Sequence, residues 1–106
     1  MDTSVEMETW LEQAAERLVD ELDPEQIMIF GSFARGTPSR KSDVDLFVIW
    51  QTKLSPVDRI GRVLRVLGDA PRPVEAVVYT PDEFRRNRSL PFVRSILQEG
   101  RTLYRK

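Results

Sequence analysis

Apolar side chains at Leu11, Ala14, Ala15, Leu18, Val19 and Leu22 recur every three or four residues, with Trp10 beside them. Glu12, Glu16 and Asp20 fill the other side. This spacing predicts an amphipathic helix from about Ser4 to Leu22. Asp23-Pro24 ends it, because proline drives the preceding residue out of the helical region. The rhythm then shortens. Gln26 to Phe30 is an apolar run stopping at Gly31, and it reads as a strand. A short helix is expected from Ser32, with the Ser32 hydroxyl as its cap. Gly36-Thr37-Pro38-Ser39-Arg40-Lys41 has the composition of a loop. Asp43 to Trp50 reads as a second strand. Apart from its two Asp it is apolar on both faces, which predicts a central place in a sheet.

The second half repeats the alternation. Ser55-Pro56-Val57-Asp58 starts a helix, with Ser as N-cap, Pro at the first helical position and Asp in the first turn. Val57, Ile60, Val63, Leu64 and Leu67 form its expected buried stripe, and Gly68 closes it. Val74 to Tyr79 is a Val-rich third strand. Thr80-Pro81-Asp82-Glu83 is a capping box. A last helix covers about Leu90 to Glu99 and stops at Gly100, and Leu103-Tyr104 adds a short edge strand. Trp10, Trp50 and Phe92 are assigned to packing. The order α-β-α-β-α-β-α-α predicts an α/β (α+β) fold: one small mixed sheet with helices packed on it. The 106 residues fit a single domain, 1–106, with one modest core.

Composition changes this picture mainly by exclusion. The chain has no cysteine and no histidine. Disulfides, thiolate metal sites, His-ligated zinc and a histidine base are therefore ruled out. Catalysis would rest on carboxylates, hydroxyls, Arg or Lys, and bound metal. No apolar run approaches the ~20 residues of a membrane span. The acidic start does not read as a targeting peptide, so a reducing cytoplasm is the simplest compartment. The net charge of −1 hides an asymmetry. Residues 1–30 carry nine acids against Arg17 alone, whereas the rest carries eight acids and fifteen bases. Solvated faces account for this simply; contact of the bases with phosphate or an acidic partner is the sharper alternative.

The candidate chemistry lies between residues 31 and 75. Asp43 and Asp45 alternate along a strand, so both carboxylates share one face, about 7 Å apart. Their repulsion is relieved by a divalent cation such as Mg²⁺, which takes one or two carboxylates plus substrate phosphates. The plain alternative is two exposed Asp, but both neighbours on the strand are apolar. Gly31 lets the backbone turn tightly and lets a ligand come close. Ser32 adds a hydroxyl beside free N–H groups at a helix start, which favours an anion. A simple strand-to-helix turn is the alternative there, and no Gly-Lys-Ser/Thr of a Walker A loop follows. Glu75 interrupts a Val-rich strand. It would join the two Asp if the second and third strands are neighbours, as metal ligand or general base; otherwise it is an ordinary exposed charge. Arg35, Arg40 and Lys41 flank the turn and could neutralise triphosphate. Arg85, Arg86 and Arg88 form a second basic cluster with nothing to tie it to a ligand.

Gly31-Ser32-Phe33-Ala34-Arg35-Gly36 followed by Ser42-Asp43-Val44-Asp45-Leu46 resembles the signature of the minimal nucleotidyltransferases of the polymerase-beta superfamily. The stretch from Val74-Glu75-Ala76-Val77-Val78-Tyr79-Thr80-Pro81 through Leu103-Tyr104 is similar to the tail of these small proteins, so the resemblance covers nearly the whole chain. It implies a sheet bearing three carboxylates, two Mg²⁺ ions and a nucleoside triphosphate, with ATP as substrate. Gly31 and Ser32 match the residues that grip the triphosphate, and Asp43 and Asp45 match the metal-binding pair. Glu75 stands where the family usually has a third Asp, one methylene shorter. Such proteins are commonly paired with a small helical HEPN-type protein, as antitoxins, some of which adenylylate it. Two functions follow as expectations: a Mg²⁺-dependent nucleotidyltransferase, or a catalytically weak module that neutralises a partner by docking. A nucleic-acid binder fits poorly, because the charge is near neutral and aromatic residues are not interleaved with bases.

Overall fold

The computed structural model describes residues 3–36 and 42–106. Its elements are α1 (Thr3–Leu22), β1 (Gln26–Phe30), α2 (Ser32–Arg35), β2 (Val44–Ile49), α3 (Pro56–Val66), β3 (Val74–Tyr79), α4 (Pro81–Asn87), α5 (Pro91–Glu99) and β4 (Arg101–Arg105). The strands form one mixed sheet in the order β3-β2-β1-β4. β1 pairs antiparallel with β2 and with β4, and β2 pairs parallel with β3. The expected α+β architecture is therefore present, with β2 central as its two apolar faces require. The tail strand is a full edge strand of five residues.

Alternation along the strands sorts the side chains into two layers. Ile27, Ile29, Val44, Leu46 and Val48 pack under α1 and α3 together with Leu11, Leu18, Val63 and Leu67. Met28, Phe47 and Ile49 face the other way, against Ile96 of α5 and Phe84 of α4. Trp10 and Trp50 are buried, as expected. α1 ends at Asp23, whose φ of 51° breaks the helix directly before Pro24. Ser55 caps α3 through the Asp58 N–H, and the Thr80–Glu83 box caps α4 in both directions.

Three expectations need correcting. In α3, Val57 is 78% exposed and Leu64 37% exposed, while Arg59 is buried at 8%. The helix is rolled so that Arg59 reaches Glu83 Oε1 (2.6 Å) and the Leu54 carbonyl (2.8 Å). Those charge-assisted bonds satisfy both acceptors, which Val57 or Leu64 in that place could not do. Leu67 is the C-cap of α3 and Gly68 follows it directly. Ser32 is the first residue of α2 rather than its cap; Gly31 holds the cap position and no side chain bonds there. Phe92 is 51% exposed, although its ring meets Phe30 edge-on at 5.9 Å.

Candidate active site

β1 delivers the chain to Gly31, whose φ of 72° and ψ of −152° lie in a region open only to glycine. There is a second reason for glycine. A Cβ at this position would collide with Asp45 Oδ2. The carboxylate thus lies directly against the backbone of the first strand-to-helix turn. α2 is a single turn, closed by Gly36 in the left-handed region and by the Arg35 N–H donating to the Gly31 carbonyl (3.1 Å). Phe33 and Ala34 anchor it against the core beneath α1.

β2 and β3 bring the acids together. Asp45 lies opposite Phe30 on one side and Glu75 on the other. Side chains in register on neighbouring strands share a face. Asp45 and Glu75 therefore sit on the α4/α5 face, as a touching pair near the mouth of the turn. Asp43 comes just before the strand, which begins at Val44, and its charge reaches Asp45. Burial pushes the Asp45 carboxyl up to about 6. The Glu75 charge and its hydrogen bond add to this, then the Asp43 charge; Arg35 opposes them. Among the described residues no three acidic side chains are already drawn together at metal-ligating distance. What is assembled is a strained pair with a third acid beside it.

That donor set fits a divalent cation. All donors are hard carboxylate oxygens, and burial and acidic neighbours make one of them harder to ionise, a cost that a cation relieves. Arg35 is half-exposed and ion-paired with Glu99 at 3.6 Å, close enough to Asp45 for its charge to be felt. Arg40 and Lys41 lie outside the described residues. Arg85 pairs with Asp82, and Arg88 covers the Phe84 ring at 5.6 Å, so that cluster is held on α4 and does not join the carboxylates.

A model of the polymerase beta nucleotidyltransferase family matches residues 12–106, nearly the whole chain and every residue just described. The chain belongs to that family. This nucleotidyltransferase domain is 31% identical over 80 residues to a Methanocaldococcus jannaschii protein provisionally named a protein adenylyltransferase. That match covers 74% of the chain and 77% of the relative. Its fold is also that of the crystal structure of a Sulfolobus solfataricus protein provisionally named a nucleotidyltransferase, at a TM-score of 0.63 and 20% identity, over 100% of this chain and 90% of that one. A variant of the MntA–HepT toxin–antitoxin pair matches at 0.65 and 22% identity, over 89% and 71%.

Sequence reasoning missed two residues beside the Gly31 turn. Arg72, from the loop before β3, stacks over the Phe33 ring at 5.5 Å and donates to the Ser42 carbonyl at 3.3 Å. It ties α2 to the start of β2. Glu99 is the second, through its hold on Arg35. Neither belongs to a motif. The available signal for Arg72 was its place beside Pro73 at a strand mouth, where loops carry functional groups.

Proposed function

We propose that this domain transfers a nucleoside monophosphate, AMP from ATP, to a hydroxyl of a partner protein or small molecule. The observation that carries the reading is the packing of Asp45 onto Gly31 with Glu75 alongside, because it puts acidic oxygens against the turn expected to hold the triphosphate. Support for ATP comes from the adenylyltransferase name of the M. jannaschii relative and from a toxin–antitoxin structural neighbour crystallised with AMP-PNP. The toxin–antitoxin neighbours support a role as the antitoxin beside a HEPN-type protein.

Asp43 and Asp45 would hold Mg²⁺, with Glu75 as third ligand or base. The metal supplies charge neutralisation at the phosphates and at the attacking and leaving oxygens. The chain's own groups do the rest. Gly31 and Ser32 present backbone and hydroxyl to the triphosphate, and Arg35 offsets its charge. Glu75, the more exposed acid, accepts the proton of the acceptor hydroxyl. The acceptor oxygen bonds to the α-phosphorus, the bond to the bridging oxygen breaks, and pyrophosphate leaves.

With α-labelled ATP, Mg²⁺ and the neighbouring gene's product, label is expected on that product. Asp43→Asn should reduce it by at least ~100-fold, in line with the loss of a group stabilising transition-state charge. Undiminished transfer in that variant removes Asp43 from the mechanism. A second reading, partner neutralisation by docking with weak chemistry, is favoured by Glu75 in place of Asp and by the acidic N-terminal helix on a basic body. Neutralisation that survives in Asp43→Asn/Asp45→Asn selects it.

A further inference from the structure

We infer that the channel between α1 and β4 is a docking surface for a cationic amphipathic helix of a partner protein. The channel, of about 510 Å³, lies on the α1/α3 face of the sheet. Asp45 and Glu75 occupy the opposite face, so the inference does not depend on the nucleotide chemistry proposed above.

A bulge in β4 builds the channel floor. Ile27 pairs with Tyr104 but Met28 pairs with Thr102, which leaves Leu103 as an extra residue. Such a bulge turns successive side chains out of strict alternation. Leu103 and Tyr104 therefore both pack toward α1, where Ala15 and Val19 meet them. The result is an apolar, partly open trough along the helix.

The charges beside it are distributed unevenly. At one end Glu8 is tied to Arg101 (2.6 Å), and at the other Asp23 is tied to Lys106 (3.0 Å). Between these clamps Glu12, Glu16 and Asp20 border the trough, all exposed, and none makes an ion pair among the described residues. The fold has neutralised the two ends and left the middle as a wall of like charge. That wall repels phosphate and anionic surfaces and attracts a cation-bearing partner.

The shape selects the occupant further. Glu12 to Asp20 spans about 12 Å of helix, roughly two turns. A partner helix lying beside α1 would put an apolar stripe into the trough and its Lys or Arg flank over the acids, the helix-in-groove mode. An added strand fits less well, because the bulge twists the β4 edge away from regular pairing. A second copy could present the exposed Arg62 and Arg65 of α3, so self-association is read as a competing outcome of the test.

The test uses a fluorescent Leu/Lys amphipathic peptide of about 18 residues, long enough to hold a helix, against the full chain. Expected are saturable binding and amide shifts centred on Ala15, Val19, Leu103 and Tyr104. Glu12→Lys/Glu16→Lys/Asp20→Lys should weaken binding at least tenfold, and the neutral Glu12→Gln/Glu16→Gln/Asp20→Asn should fall between. A sequence-shuffled peptide of equal charge should bind several-fold more weakly. Unchanged far-UV circular dichroism and a cooperative thermal melt of the variants report that they fold. Equal binding of the shuffled peptide, equal binding by the Lys variant, or shifts centred elsewhere overturn the inference. So does self-association of the chain that the Lys variant abolishes.

Discussion

At Asp45, burial and the adjacent Glu75 and Asp43 carboxylates act together to hold a proton that the unfolded chain would release. The carboxyl moves from its ordinary 3.8 to about 6. The sign of the stability effect follows. The folded form binds the proton more tightly, so the contribution to stability is complete below pH 3.8 and is lost as pH rises through about 6. A neutral amide does not incur that loss. Asp45→Asn is therefore expected to melt several degrees above the native chain at pH 8, with the gain gone by pH 4. Paired thermal melts at the two pH values check it; an equal shift at both would mean that the gain is not electrostatic. The same residue shows what could be read directly from the sequence. An Asp flanked by apolar strand residues advertises a charge with a purpose. The contact of its Oδ2 with Gly31 could not be read, because it depends on the register of β1 against β2.

The elements divide in the same way. β1 and β3 fall where their apolar runs place them, since a strand bounded by Gly or Pro has little freedom in its ends. α3 does not. Its sequence carries two overlapping apolar stripes, one through Val57 and Leu64 and one through Val63 and Leu67, and periodicity alone cannot rank them. On the buried face Arg59 meets a residue 24 positions away: Glu83, whose carboxylate also accepts the Thr80 N–H. Those bonds hold the Glu83 carboxyl below its usual range, the Thr80 backbone first and Arg59 after it. Arg59→Met removes one partner of a largely buried pair and leaves Glu83 and the Leu54 carbonyl without it. The expected loss is about 2–3 kcal/mol at pH 7, at or below the low end for such truncations because Glu83 is partly exposed. A urea titration measures it, and the loss should shrink in acid as Glu83 takes up a proton. A variant as stable as the native chain would show that Val57 or Leu64 can take over the buried face.

At the scale of the whole molecule, one sheet separates two kinds of surface. The α4/α5 face carries the carboxylates beside the glycine turn, and the α1/α3 face carries the acidic trough along β4. This separation lets a partner be held on one side without blocking the other. It also makes the proposed nucleotide site visible through global stability, because a ligand that binds only the folded chain raises its melting temperature. Mg²⁺ and ATP together are expected to raise Tm at pH 7.5 by several degrees, and either alone much less, since the acids repel a bare triphosphate. Protons compete with the cation for Asp45, so the shift should decline below pH 6 and be small at pH 5. The trough has no part in this, and the Glu12→Lys/Glu16→Lys/Asp20→Lys variant should keep the full shift. Differential scanning fluorimetry across that pH range is sufficient. If ATP raised Tm equally in chelator, the anion would be held by the arginines alone, and Asp43, Asp45 and Glu75 would have no share in binding it.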